Sequence, residues 1–182
     1  MAKSIGMIEY ATVSTGISAT DTMLKTAEVE VIEAQTVCPG KYIAIITGEL
    51  SAVKASVENA KAQFGEKLID TFVLGNPHES VIPAIYGANS VENPKALGIL
   101  ETFSVASMIV AADAAAKTAE VDLIELRLAR GMCGKSYMLL TGEVAAVESA
   151  IEYAKSKVAD GTMFLDSTVI ANPDEKMWNK VI

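Results

Sequence analysis

The chain has 182 residues, a formal net charge of −8 and a hydrophobic fraction of 51%. The acidic balance argues against nucleic acid as a partner, and no apolar run approaches the ~20 residues that a membrane span needs. So much apolar side chain in small domains predicts large subunit interfaces. Two cysteines with no secretory context are typical of reduced thiols in a cytosolic protein.

The chain contains the same pattern twice. The repeated segments, at offsets of 92, 94 and 96, are Gly6-Met7-Ile8-Glu9 and Gly98-Ile99-Leu100-Glu101, Thr47-Gly48-Glu49 and Thr141-Gly142-Glu143, and Asn76-Pro77 and Asn172-Pro173. Two small insertions explain the drift. We therefore expect two domains, at residues 1–86 and 95–182, joined by a linker at 87–94.

Each copy has the same predicted elements, and their order is strand, helix, strand, strand, helix, strand. In the first copy they are a strand at 5–10, a helix with Ile17, Thr20, Leu24 and Ala27 on one face, strands at 29–37 and 42–47, a helix with Val53, Val57, Ala60 and Phe64 on one face, and a strand at 68–74. In the second they are a strand at 97–102, a helix with Ile109, Ala112, Ala116 and Ala119 on one face, a strand containing Ile124, a strand at 137–141, a helix with Val147, Ile151, Ala154 and Val158 on one face, and a strand at 164–170. A short terminal helix follows each copy.

The second strand of each copy carries an irregularity. Its apolar–polar alternation slips at Ile32 and again at Ile124, which predicts a β-bulge in both copies. The order β-α-β-β-α-β indicates an α+β, ferredoxin-like fold with helices on one face of an antiparallel sheet. That fold hosts many functions and does not by itself choose one.

A family resemblance rests on these repeated motifs. The carriers are residues 5–9 and 97–101, Asp21-Thr22-Met23-Leu24-Lys25-Thr26-Ala27 and its twin at 113–119, a Gly-Lys pair before the third strand and Thr-Gly-Glu after it. Through these motifs the chain resembles the shell proteins of bacterial microcompartments, specifically their tandem-domain members. Residues 36–41 and Met177-Trp178 are similar to the iron–sulfur (PduT-type) subfamily of propanediol-utilisation microcompartments.

The resemblance implies a structural role and no enzymatic activity. It implies a homotrimer whose six domains form a pseudohexameric tile in the microcompartment shell, in the cytoplasm. Neighbouring shell proteins and a redox enzyme of the lumen are the implied partners. Lys25 and Lys117 match the lysine that contacts the next tile at the tile edge, although a solvated i, i+4 pair with Asp21 or Asp113 explains them equally well.

The resemblance also implies that Cys38 lies in a central pore loop formed by Val37, Cys38, Pro39 and Gly40. There it would hold a [4Fe–4S] cluster shared by three chains, which would carry electrons across the shell. The alternative is a metabolite-conducting pore without a cluster.

The physics of a threefold ring bears on that expectation. Aligning the two Gly-Lys pairs places Cys38 opposite Met132, so a trimer would present this thiol three times rather than six. A [4Fe–4S] cube has threefold axes, and three thiolates could bind three of its irons. Zinc with three sulfur ligands and one water satisfies the same symmetry. Pro39 and Gly40 predict a tight loop whose N–H groups approach the sulfur.

Other candidate sites are weaker. Cys133 aligns with Pro39, one position out of register, and is interpreted as an incidental loop thiol rather than part of a second three-cysteine site. Residues 129–136 resemble a phosphate-binding loop, but a strand follows them where that loop needs a helix. His78, the only histidine, is predicted on a surface loop, so acid–base catalysis is poorly supplied.

Overall fold

The computed structural model describes residues 4–158 and 163–181 of the chain. The chain divides into two compact units, Met1–Pro77 and His78–Ile182. Residues 78–86, predicted to belong to the first domain, thus belong to the second compact unit. Within the described residues, no helix combines the length and the apolar character needed to cross a membrane.

The first unit is a four-stranded antiparallel sheet with two helices on one face. Its elements are β1 (Ser4–Tyr10), α1 (Val13–Thr26), β2 (Val29–Val37), β3 (Lys41–Gly48), α2 (Leu50–Phe64) and β4 (Leu68–Leu74). The strand order is β2-β3-β1-β4. This is the predicted β-α-β-β-α-β arrangement, and both the α+β class and the position of the helices are confirmed.

The second unit repeats this arrangement and adds two short helices. Its elements are α3 (Val81–Ile85), β5 (Ala96–Thr102), α4 (Val105–Thr118), β6 (Val121–Leu128), β7 (Ser136–Gly142), α5 (Val144–Val158), β8 (Phe164–Ile170) and α6 (Glu175–Val181). The strand order is β6-β7-β5-β8. The terminal helices α3 and α6 are also as predicted.

The predicted bulges are present in both copies. The pairing of β2 with β3 shifts register between Val31 and Glu33, and that of β6 with β7 shifts between Leu123 and Glu125. The extra residue on the bulged strand changes which face the following side chains point to. The side chains at the far end of each strand, next to the hairpin loop, are therefore placed by the bulge.

Close approach of the second helix to the sheet requires a glycine in the first strand. A Cβ at Gly6 would lie 2.6 Å from Val53 Cγ1, and one at Gly98 would lie 2.8 Å from Val147 Cγ1. The buried face of α2 is the predicted one, with Val53, Val57 and Ala60 in the core. The predicted buried face of α5 is also confirmed.

The predicted face of α1 is correct for Thr20 but wrong for Ile17 and Leu24. Its buried residues are Gly16, Ala19, Thr20 and Met23, while Ile17 is 53% and Leu24 is 45% exposed. The reason is the spacing between helix and sheet: a Cβ at Gly16 would lie 2.5 Å from the Tyr42 ring. Small residues therefore take the contact face around Gly16, Met23 is buried further along the helix, and Ile17 and Leu24 lie outside this face. In α4, by contrast, Ile109, Ala112 and Ala116 are buried as predicted.

In the second unit the other face of the sheet is also partly covered. Leu97, Ile124 and Leu139 form a buried cluster, and Met177, Trp178 and Val181 of α6 pack against it. Leu97 precedes Gly98, which faces α5, so this cluster lies on the sheet face opposite α4 and α5. Trp178 thus helps to attach the terminal helix to the sheet of this unit.

Candidate functional site

The Cys38 loop connects β2 to β3 at the end of a hairpin. Val37, the last residue of β2, is 4% exposed and pairs with Lys41, the first residue of β3. The three residues between them, Cys38, Pro39 and Gly40, are all exposed. A buried valine thus anchors one end of the loop, and the thiol lies at the tip.

The predicted tight loop is present, but its hydrogen bonding differs from the prediction. The Cys38–Pro39 peptide bond is cis, and Gly40 has a φ of 102°. The Gly40 N–H donates to the Val37 carbonyl oxygen at 2.9 Å, which closes the turn. Pro39 has no N–H, and the N–H of Gly40 is used in this bond. Neither residue therefore has a free backbone donor for the sulfur of Cys38, contrary to expectation.

A partly buried ion pair holds the base of this loop. Lys41 Nζ lies 2.9 Å from Glu9 Oε1, and the Glu9 side chain is only 6% exposed. Lys135, the equivalent lysine of the second unit, has an aromatic neighbour instead: its Nζ lies 6.0 Å from the centroid of the Phe103 ring. The two Gly-Lys motifs therefore have distinct surroundings in the two copies.

The corresponding loop of the second unit is longer and differently built. It runs from Ala129 to Lys135 between β6 and β7, and Ala129, Gly131, Cys133 and Gly134 have positive φ. Ser136 opens strand β7 where a phosphate-binding loop needs a helix, so the phosphate-loop interpretation is excluded, as predicted. Cys133 is exposed in this loop.

A single chain does not contain a complete metal site in the part that the structure describes. Among those residues, no three His, Cys, Asp or Glu side chains lie close enough together to hold an ion. Cys38 is the only thiol in its loop, and it is solvent-accessible. The donor chemistry fits an iron–sulfur or zinc centre only if further chains contribute ligands.

Both candidate edge lysines form intrahelical ion pairs. Lys25 Nζ lies 2.6 Å from Asp21 Oδ2, with both side chains more than half exposed. Lys117 Nζ lies 2.8 Å from Asp113 Oδ2, and that carboxylate is largely buried. Asp113 Oδ1 also accepts from the His78 N–H at 2.7 Å. The lysines therefore lie in the last turns of equivalent helices, and Lys25 is the more accessible.

The predicted surface position of His78 is only partly correct, because the residue is half-buried. Its ring Nδ1 lies 2.8 Å from Ser80 Oγ, and its backbone N–H donates to Asp113. These bonds attach the start of the second unit to α4. The arrangement is a structural anchor.

Sequence reasoning did not find a polar cluster on the second unit. Arg127 Nε and Nη2 donate to Glu125 Oε1 at 2.9 and 2.5 Å, and the Tyr137 hydroxyl donates to Glu125 Oε2 at 3.0 Å. Burial raises the pKa of Tyr137 above its ordinary value, and Glu125 raises it further while Arg127 opposes. The hydrogen bond to Glu125 likewise raises the pKa of Arg127. A comparison of the two copies could have pointed to this cluster, because the first copy has Gln35 and Ile43 at the positions of Arg127 and Tyr137.

Comparisons with known proteins agree with the duplicated architecture. Residues 4–77 and 96–173 each match the BMC domain family. The chain is 38% identical over 182 residues to the bacterial microcompartment shell protein PduT of Citrobacter freundii, covering 100% of this chain and 99% of that protein. A microcompartment protein of known structure from Desulfitobacterium hafniense is 45% identical, with a TM-score of 0.94 over 98% of this chain and 99% of that one.

A further relative matches about half of the chain. The carboxysome shell protein CcmK1 of Thermosynechococcus vestitus is 33% identical over 93 residues, which span 47% of this chain and 82% of that protein. Shell proteins of this family oligomerise and assemble with other shell proteins. The chain belongs to the BMC domain family: it is a tandem-domain shell protein of a bacterial microcompartment, and a structural component rather than an enzyme.

Proposed function

We propose that three copies of this chain form a pseudohexameric shell tile whose central pore carries a [4Fe–4S] cluster bound by Cys38 of each chain. The observation that carries this proposal is the place of Cys38: it is the exposed thiol at the tip of a hairpin whose counterpart in the second unit has Met132 at the aligned position. Two domains per chain and three chains make six similar units around one axis. Each ring then presents three equivalent thiols.

The residues of the chain have separate roles in this site. The Cys38 thiolate is the metal ligand, and buried Val37 together with the Val37–Gly40 hydrogen bond holds the loop in shape. The Glu9–Lys41 ion pair fixes the strand that leads away from it. A bound cluster supplies one-electron redox chemistry. Such a centre moves electrons through the shell without opening a hole for small intermediates.

The experiment compares the two cysteines of the chain. The full-length protein is purified anaerobically, and iron, acid-labile sulfide and the visible spectrum are measured for wild type, Cys38→Ser and Cys133→Ser. We expect about four irons per three chains in wild type and in Cys133→Ser, and none in Cys38→Ser. Cys133 is the matched control because it is also an exposed loop thiol.

The other outcomes each select a different conclusion. About one zinc per three chains, lost only in Cys38→Ser, would replace the cluster by a zinc centre. A colourless, metal-free wild-type protein that still forms trimers would leave a pore that conducts metabolites. Equal loss of iron in both serine variants would contradict the assignment of Cys38.

Lys25 and Lys117 are proposed as contacts between neighbouring tiles. Both lie in the last turn of the first helix of their unit, where a lysine stem can lie along a partner surface while its ammonium donates to backbone carbonyls. The ion pairs with Asp21 and Asp113 hold each side chain in place before contact. The proposal also includes a redox enzyme in the lumen of the microcompartment as a partner. This partner would exchange electrons with the cluster, so this part of the proposal depends on the cluster being present.

A further inference from the structure

A cleft on the second unit lies on the sheet face opposite α4 and α5. It has a volume of about 410 Å³ and is lined by residues of β6, β7, α6 and the segment before β5, including Asn89, Ile124, Arg127, Tyr137, Leu139 and Lys180. That volume is in the range of small-molecule sites. All of these residues belong to one compact unit.

The cleft has cationic groups above an apolar floor. Ile124 and Leu139 of the floor are 6% and 9% exposed, and the Tyr137 ring forms a half-buried wall. Arg127 lies over that ring, with its Cζ 5.8 Å from the centroid. An apolar floor beside fixed polar groups is the usual composition of a ligand site.

The charges in the cleft are not balanced. Both oxygens of Glu125 are engaged, one by Arg127 and the other by the Tyr137 hydroxyl. The guanidinium uses two of its five N–H groups on this carboxylate, so others remain for a ligand. Lys180 adds a second cation, and within the described part of the chain its ammonium forms no ion pair. Counted over the described residues, one positive charge in the cleft therefore remains uncompensated, although the whole chain carries −8.

The first copy of the repeat lacks this chemistry. The aligned positions of Arg127 and Tyr137 in the first unit are Gln35 and Ile43, at the offsets of 92 and 94 that the repeat defines. The repeat aligns Lys180 with Ala84, which lies in α3 of the second unit. Two differences from the first unit, together with Lys180, thus place two cations and a hydroxyl in one cleft of the second unit. Shared architecture of the fold does not require them, because the first unit has the same sheet without them.

We propose that this cleft binds a small organic anion, a carboxylate or phosphate monoester with a short apolar chain. Lys180 and the free N–H groups of Arg127 bind the anionic group, and Ile124 and Leu139 contact the apolar chain. Charge-assisted hydrogen bonds give the selectivity for an anion over a neutral molecule of the same shape. This site is independent of Cys38 and of any metal.

The test uses the only tryptophan of the chain as a reporter. Trp178 packs beside the cleft on α6, so its fluorescence is sensitive to occupancy. The full-length protein is titrated with butyrate, butyl phosphate and butyramide at constant ionic strength. We expect saturable changes with one or both anions, at dissociation constants on the order of millimolar, and none with butyramide. Which anion binds more tightly distinguishes the carboxylate from the phosphate class.

Variants of α6 decide whether the cleft is responsible. Lys180→Gln should weaken anion binding by about tenfold or more, and Lys180→Arg should restore it. Lys176→Gln, an exposed lysine one turn earlier on the same helix, is the matched control and should bind like wild type. Equal responses to butyramide, no saturation at any concentration, or equal losses in Lys176→Gln and Lys180→Gln would each overturn the proposal.

Discussion

The ion pair between Glu9 and Lys41 shows how a single charge is kept inside the first unit. Glu9 is almost completely buried at the end of β1, and Lys41 provides the compensating charge where β3 begins. Removing one member of such a pair leaves the other charge desolvated and unpaired, which is more costly than never having the pair.

We expect Lys41→Met to lower the free energy of unfolding by about 2 kcal/mol. The control is Lys25→Met, whose pair with Asp21 is exposed and should change stability by less than about 1 kcal/mol. Urea denaturation at one fixed protein concentration measures both, because assembly makes stability depend on concentration. Similar losses in the two variants would show that burial of Glu9 does not matter.

Tyr137 provides a prediction about pH. Its pKa is raised in the folded protein, chiefly by burial and then by Glu125. A raised pKa means that the folded state holds the proton to higher pH than the unfolded chain, where tyrosine titrates near ~10. The contribution of this raised pKa to the free energy of unfolding is therefore complete below about pH 10. It is lost as the pH rises through the pKa of Tyr137 in the folded state.

The stability difference between wild type and Tyr137→Phe should accordingly shrink above about pH 10. Denaturant unfolding at a series of alkaline pH values measures it. Tyr153→Phe, which removes an exposed hydroxyl, is the control and should follow wild type at every pH. A difference that stays constant through the alkaline range would contradict the role assigned to Glu125 and burial.

Among the elements, the contact of α2 with β1 depends on the missing side chain of Gly6. A methyl group there would come within 2.6 Å of Val53 and 2.9 Å of Val57, so the helix must move away or the valines must change rotamer. Overpacking of this kind costs about 1–3 kcal/mol.

Gly6→Ala should therefore be destabilising by about that amount. Gly65→Ala is the control, because Gly65 has helical dihedrals at the end of α2 and open space around it. It should be neutral or stabilising by up to about 1 kcal/mol. Thermal unfolding followed by circular dichroism compares them, and equal melting temperatures for the two variants would contradict the argument.

For the whole molecule, the proposed tile makes a prediction about assembly. Lys25→Ala combined with Lys117→Ala should leave the trimer intact but prevent the packing of tiles into extended sheets. Analytical ultracentrifugation measures the trimer, and negative-stain electron microscopy measures the sheets. Lys61→Ala, an exposed lysine in the last turn of α2, is the control. Normal sheets from the double variant would remove the edge role of both lysines.

The elements that the sequence predicted well are those with a repeated local pattern. The bulges at Ile32 and Ile124 were visible because alternation slipped at the same place in both copies. The buried face of α2 followed from the spacing of its valines. The buried face of α1 did not, because the close fit of Gly16 against Tyr42 depends on the distance between helix and sheet rather than on side-chain hydrophobicity.

The sequence alone determined the duplication, the order of the strands and helices, the family, and the asymmetry that leaves Cys38 in only one copy. These properties follow from local spacing and from comparing one half of the chain with the other. The tertiary structure decided that Gly40 donates its N–H to Val37, and that Arg127, Tyr137 and Lys180 line one cleft. The Gly40 bond depends on the backbone dihedrals of a short loop, which residue types alone do not specify. Lys180 meets Arg127 and Tyr137 only because the sheet register and the packing of α6 bring them together, and neither is encoded in any short segment.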